Sequence, residues 1–232
     1  MLIFINKKDY AMQTISTVFW DLDGTLIDSE HLHMQSGDYA TQILERELQL
    51  KATPLSGDLT GMENRAVFDL LFANAKLANN QQMFERWQQL AINFFIERVN
   101  SSQQIRQSAE LVKHFAAQGI VQSVVSNSTQ EVITHSLTQL GILNQFNQIF
   151  SRDRVERGKP HPEIYLSALN YHGQAAENCL VFEDSATGIA AAKAAGLNVV
   201  GIGDATLSHN PTHTVSLDKN NWLELLSVHY TF

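Results

Sequence analysis

Thr17-Val18-Phe19-Trp20-Asp21-Leu22-Asp23-Gly24-Thr25 decides the fold of this chain. Thr17 to Leu22 reads as a short buried strand, and the Asp23-Gly24 pair ends it in a turn. Asp21 is thereby placed at the carboxyl end of a strand, where open α/β sheets gather their ligands.

Downstream the pattern changes. From about Ser29 to Val99 the chain is rich in Gln, Glu, Leu and Ala at helical spacing, as in Leu44 and Leu48 or Phe68, Leu71 and Phe72, and holds no convincing strand. After Ser101, helix and strand signals alternate. A helix over Ser108 to Gln118 stops at Gly119, and a strand follows near Ile120 to Ser126. A helix over Thr129 to Leu140 then stops at Gly141. A strand near Gln148 to Phe150, a helix after Pro162, a strand over Cys179 to Phe182, a helix over Ala186 to Ala195 and a strand over Val199 to Ile202 complete the series. Strands alternating with helices in this way imply crossover units and a mostly parallel sheet covered on both faces. The expected class is α/β, a doubly wound Rossmann-like core built from residues 1–28 and 101–232. A small all-helical domain, residues 29–100, interrupts it after the first strand.

Composition narrows the partners. At 232 residues and 44% hydrophobic, the chain can bury a full core and a smaller module. A net charge of −8 without a long Lys/Arg run leaves no footprint for nucleic acid or an anionic membrane surface. Cys179 is the single cysteine, which rules out an intrachain disulfide or thiolate metal cluster and favours a cytoplasmic setting. The apolar run Leu2 to Ile5 precedes Lys7 and Lys8, the wrong order and length for a signal peptide, and no segment reaches the roughly 20 apolar residues of a membrane span. Met12 offers an alternative start, with residues 1–11 a disordered leader.

Four strand ends carry polar groups. Asp21 and Asp23, one residue apart in a turn, can act on one substrate atom: one attacks, while the other protonates the leaving oxygen and later activates water. The plainer alternative is a turn-forming or metal-binding Asp-x-Asp-Gly. Ser126-Asn127-Ser128 offers hydroxyls, an amide and backbone N–H groups at a helix start, which suits a phosphoryl group, although Ser and Asn are also ordinary helix caps. Lys159, in Gly158-Lys159-Pro160, can neutralise a phosphoryl group and its attacking carboxylate, unless it is simply a solvated surface lysine. Glu183 and Asp184 end an apolar strand, and together with Asp21 they offer the oxygen ligands that Mg²⁺ prefers; a helix cap at this position is the alternative.

These stretches, in this order, resemble the four motifs of the haloacid dehalogenase superfamily, in its phosphatase branch. The Ser29 to Val99 block resembles the α-helical cap of the subclass that contains β-phosphoglucomutase and many sugar-phosphate phosphatases. Gly158 to Tyr165 and Phe182 to Ile189 are especially similar to that subclass. The resemblance implies Asp21 as nucleophile and Asp23 as general acid/base, with Ser126, Asn127 and Lys159 binding the phosphoryl group. It also implies Mg²⁺ held by Asp21, the Asp23 carbonyl and Asp184, with Glu183 a nearby or direct ligand, and a monomer as the default state. The dehalogenase branch lacks an acid at the position of Asp23, so its presence here favours phosphate chemistry.

Cap residues would choose the substrate. His33, twelve residues after Asp21, stands where similar mutases carry a histidine that assists proton transfer; a partly exposed helix histidine is the alternative. Thr60-Gly61-Met62 resembles a substrate-specificity loop, in which a glycine lets backbone approach the ligand. Arg65 could grip a distal phosphate or carboxylate, but it is one residue away from where a mutase places an arginine. Phe68, Phe72, Phe84, Trp87, Phe94 and Phe95 are spaced as the packing of a helical bundle. The expected activity is Mg²⁺-dependent hydrolysis of a small phosphorylated metabolite, a sugar phosphate in the first instance, through an aspartyl phosphate. A phosphosugar isomerase and a non-catalytic phospholigand-binding protein are the alternatives.

Overall fold

The computed structural model describes residues 12–55 and 62–232. In chain order its strands are β1 (Gln13–Thr14), β2 (Thr17–Trp20), β3 (Val121–Val125), β4 (Gln148–Phe150), β5 (Cys179–Glu183), β6 (Asn198–Ile202), β7 (His213–Val215) and β8 (Tyr230–Thr231). Its α-helices are α1 (Glu30–Leu48), α2 (Asn64–Leu71), α3 (Gln81–Arg98), α4 (Arg106–Ala117), α5 (Gln130–Gln139), α6 (Glu163–His172), α7 (Ala186–Ala194) and α8 (Trp222–Ser227).

Six strands form one sheet in the order β4-β3-β2-β5-β6-β7, with every neighbouring pair parallel. The chain begins at the centre with β2, builds β3 and β4 on one side, then returns to build β5, β6 and β7 on the other. β2 is therefore the strand at which the winding reverses, and its carboxyl end opens into the crevice where such sheets bind ligands. Register fixes the neighbours: Trp20 stands beside Val124 on one flank and Phe182 on the other. The residues that follow these three positions converge.

Alternation along the strands sends side chains to two separate cores. Val18, Trp20, Val124, Leu180, Phe182 and Val200 face one side, where α4, α5 and α8 contribute Phe115, Leu137 and Trp222. Phe19, Val125, Val181 and Val199 face the other, against Ile164 and Tyr165 of α6 and Ile189 and Ala192 of α7. Trp20 stacks on Phe182 at 4.2 Å between ring centroids. Its indole N–H donates to Gln122 Oε1, and Gln122 Nε2 donates to the Val112 carbonyl, so this buried amide has partners.

Helices α1, α2 and α3 lie between β2 and α4, an insertion with no strand among its described residues. Ala40, Leu44, Phe68, Phe72 and Trp87 form its own core, with Phe84 packed against it. Two aromatic residues depart from the expected bundle: Phe95 is buried in the main core, with Phe94 packed beside it, so the carboxyl end of α3 belongs to the packing of the α/β unit. Leu48, the last residue of α1, is exposed rather than packed.

The helix and strand boundaries expected between residues 106 and 202 are met within two residues. Three features lie beyond that series: β7, α8 and the small parallel pairing of β1 with β8, which ties Gln13 to Tyr230. The disordered leader expected over residues 1–11 falls outside the described residues. No helix among the described residues is long and apolar enough to cross a membrane.

Phe68 contacts Phe72, Phe84 and Trp87 at centroid separations of 5.0, 5.7 and 6.0 Å. Replacing Phe68 with Ala is expected to cost about 3–5 kcal/mol in stability, measured by urea unfolding, whereas a cost below about 1 kcal/mol would contradict its close packing.

Candidate functional site

Asp21 follows β2, and its backbone N–H donates to the Phe182 carbonyl at 3.0 Å, which carries the sheet ladder one step past Trp20. Ser126 follows β3 and donates in the same way to the Phe150 carbonyl. Glu183 is the last residue of β5. The three outer ends thus meet because β3 and β5 both flank β2, although Ser126 and Glu183 each lie more than a hundred positions from Asp21.

Lys159 joins them. It enters on the loop before α6, with a cis peptide bond to Pro160, and is only 3% exposed. Asn127 grips its backbone from both sides: Oδ1 accepts from the Lys159 N–H at 2.9 Å, and Nδ2 donates to the Lys159 carbonyl at 3.1 Å. The ammonium donates to Asp21 Oδ1 at 2.6 Å and to Glu183 Oε1. Burial would lower its pKa, but the charges of Asp21 and Glu183 hold it well above the ordinary lysine value, so Lys159 is cationic.

Glu183 is fully buried and surrounded by donors. Its Oε1 also accepts from the Tyr165 hydroxyl at 3.1 Å, and its Oε2 accepts from the Ser185 hydroxyl at 3.0 Å and the Ser185 N–H at 3.3 Å. A helix-interior glycine makes room for this carboxylate. A Cβ on Gly188 would stand 1.8 Å from Glu183 Oε1, which no side chain could tolerate. Gly24 plays the same part for Asp184: its φ is +75°, and a Cβ there would lie 2.0 Å from Asp184 Oδ2. Thr25 Oγ1 donates to Asp184 Oδ1 at 3.2 Å.

Asp21, Glu183 and Asp184 each offer an oxygen within 4.8 Å of the others, an arrangement open to a metal ion. Three carboxylates against one ammonium leave two negative charges uncompensated, which matches a divalent cation with oxygen ligands. Burial, followed by the charge of Glu183, pushes Asp184 up to about 7. The same two causes raise Asp21 well above the usual carboxylate range, against the pull of Lys159.

Asp23 has a different environment. Burial alone would raise its pKa, but the His33 charge and hydrogen bonds from His33, Ser128 and Ser29 more than offset this and hold it at about 2. The hydroxyls of Ser29 and Ser128 donate to its two oxygens at 2.6 Å each, and His33 Nε2 lies 2.7 Å from Oδ1. Burial would lower the pKa of His33, yet Asp23 raises it; the ring stacks on Phe95 at 4.5 Å. Two carboxylates two residues apart thus have opposite proton affinities, set by burial among acids for Asp21 and by hydrogen-bond donors for Asp23.

Asp21, Asp23, Ser126, Asn127, Lys159, Glu183, Asp184 and His33 therefore fall into one connected cluster. The amide of Asn127, expected on a phosphoryl group, also braces the Lys159 backbone, with Oδ1 and one N–H of Nδ2. Arg65 does not join the cluster: it pairs with Asp69 at 3.0 Å, donates to Gln81 at 2.7 Å and lies over the Phe84 ring, all within the insertion. Gly61 lies outside the described residues. Tyr165, Ser29 and the partnership of Ser128 with Asp23 were missed from sequence. The glycine interrupting Ala186–Ala194 was a usable signal, since a helix interior gives up about 1 kcal/mol to hold one.

Comparison with known proteins agrees with this geometry. A phosphatase of phosphorylated carbohydrates from Thermotoga maritima is 27% identical over 188 residues, covering 79% of this chain and 82% of its own. A phosphoglycolate phosphatase from Photorhabdus laumondii is 28% identical over 94% of this chain and 93% of its own. A crystal structure of β-phosphoglucomutase from Clostridium difficile superposes with a TM-score of 0.74 at 21% identity, covering 93% of this chain and 96% of that one, and shares its fold. Residues 18–202, from β2 to the end of β6, match the family described as haloacid dehalogenase-like hydrolase, and the chain belongs to that family.

Proposed function

We propose that this protein is a Mg²⁺-dependent phosphomonoester hydrolase that takes a small phosphorylated metabolite through a phosphoryl group carried on Asp21. The observation that carries this reading is the buried ammonium of Lys159 set between Asp21 and Glu183, beside the ionised, hydrogen-bonded Asp23. The donor set suits Mg²⁺, which would be held by Asp21, Asp184 and the Asp23 carbonyl with Glu183 alongside, and would supply charge neutralisation at the phosphoryl oxygens.

The chain's own residues perform the rest. Asn127 and Glu183 fix the backbone and ammonium of Lys159, which offsets the repulsion between the Asp21 carboxylate and an incoming phosphate. The hydroxyl of Ser126 accepts from the Ser128 N–H at 3.0 Å and keeps its proton for a phosphoryl oxygen. An Asp21 oxygen forms the bond to phosphorus as the bond to the substrate oxygen breaks, and that oxygen takes a proton from Asp23. Because Asp23 rests ionised, the proton arrives through His33, 2.7 Å away. Water then attacks the aspartyl phosphate, with Asp23 accepting its proton, and phosphate and free Asp21 result. The helical insertion acts as a cap that closes to exclude bulk water and opens to release product.

A sugar phosphate is the first substrate class to test. The name of the Thermotoga maritima relative supports it, and the engagement of Arg65 within the insertion disfavours a grip on a second phosphate. A screen of phosphorylated metabolites for phosphate release should find sugar phosphates among the best substrates. Asp21→Asn should abolish release while leaving the circular-dichroism spectrum nearly unchanged; full activity in that variant would refute the nucleophile. Asp23→Asn should lower kcat by about 10²- to 10⁴-fold with substrate binding retained.

Charge in the carboxylate cluster makes a second, activity-free prediction. Asp184 binds its proton more tightly in the folded protein than in the unfolded chain, so this contribution is present at low pH and is lost as pH rises through about 7. Without metal, Tm should be lower at about pH 8 than at about pH 5.5, by on the order of 5 °C, and Mg²⁺ should restore it mainly at the higher pH. A metal effect equal at both pH values would contradict this account.

A further inference from the structure

Glu63 occupies the position before α2, where Ser, Thr, Asp or Asn usually accept from the first backbone N–H groups. Its carboxylate caps nothing. It reaches instead to the α/β core, where Oε1 accepts from Arg152 Nε at 3.3 Å and from Nη2 at 3.2 Å. Among the described residues this is the only ion pair that ties α2 or α3 to that core; the others of those helices, Arg65 with Asp69, Arg86 with Glu47 and Arg98 with Glu97, stay inside the insertion.

Arg152 is oriented before it meets its partner. It follows β4 in a short 3-10 turn, its backbone N–H donates to the Ser128 carbonyl at 3.1 Å, and its Nη1 donates to the Val155 carbonyl at 3.0 Å. Its stem lies across Gly158: a Cβ there would stand 2.5 Å from Arg152 Cδ and 2.5 Å from Asn127 Oδ1. The same arginine thus rests on the loop that holds Asp23, through Ser128, and on the residue that precedes Lys159. One ion pair links the phosphoryl-binding loops to Glu63, at the start of α2 in the cap.

We infer that Arg152 and Glu63 form a clasp that positions the cap over the site and retains bound phosphoester, both acting as positioning residues; the inference rests on the hydrolase reading above. Partial exposure, 32% for the arginine side chain and 47% for the glutamate, suits that role. A pair this accessible is weak, so it biases a cap near balance between open and closed without locking it, and it breaks in every turnover. It is also screened by salt.

The test uses the full chain with p-nitrophenyl phosphate and a fluorophore pair spanning the cap and the core. Arg152→Gln and Glu63→Gln should each raise KM about two- to fivefold, with kcat held or increased, and should raise the open fraction seen by energy transfer. The double variant should be no worse than either single one, Arg152→Lys should recover part of the loss, and high salt should remove the differences. Additive effects, a fall in kcat at constant KM, or unchanged energy transfer would overturn the clasp. The fluorescence measurement reads the clasp without turnover, whereas absence of Asp21-dependent hydrolysis in the unaltered protein would overturn the hydrolase reading alone.

Discussion

A buried lysine ammonium between two carboxylates is the constraint around which this molecule is arranged. Lys159 has almost no access to water, and a charge so placed is tolerated only with close partners and full hydrogen bonding. Asp21 and Glu183 provide those partners, and they can do so only because β2 and β5 are neighbours in register. Tyr165 and Ser185 then satisfy the remaining lone pairs of Glu183, and Gly188 gives up a side chain so that the carboxylate fits beneath α7. Each accommodation follows from the one before it. The excess negative charge left over suits a divalent cation, which would in turn offset the charge of an incoming phosphoryl group.

The two aspartates of the first loop show how environment divides labour between identical groups. Burial, then neighbouring carboxylates, drives Asp21 toward higher proton affinity, whereas at Asp23 an imidazole and two hydroxyls outweigh burial and drive it the other way. The division is local and geometric. Ser128 and Ser29 come from different parts of the chain, one at the end of β3 and one at the start of the insertion, so the state of Asp23 is sensitive to how the insertion sits on the core.

Much of this was legible in the sequence because it is written in local patterns. Alternating apolar residues, helix-ending glycines and polar groups just past apolar runs identified the central strands, their helices and the cluster at their ends. What escaped has physical reasons. β7 has three residues, one of them apolar, and α8, though rich in Trp and Leu, spans only six residues, while the β1–β8 pairing joins residues more than two hundred positions apart through two residues each. Phe94 and Phe95 have the spacing of insertion packing, but spacing cannot say which of two cores a helix end will face. Arg65 looked available to a ligand because its partners, Asp69 and Gln81, are as ordinary as any surface pair. That the amide of Asn127 also braces the lysine backbone is revealed only by three-dimensional proximity.

The winding of the sheet has a consequence for the order of assembly. β2 is formed from residues near the start of the chain, yet its flanking strands arrive about one hundred and one hundred and sixty residues later. Such long-range pairings are slow to find because much of the chain must be closed into loops before they reward it. During synthesis Asp21 emerges 138 positions ahead of its lysine partner. Until β5 docks, the Asp21 carboxylate is an ordinary solvated acid, and the charged cluster comes into being only when strands from distant parts of the chain stand on both flanks of β2.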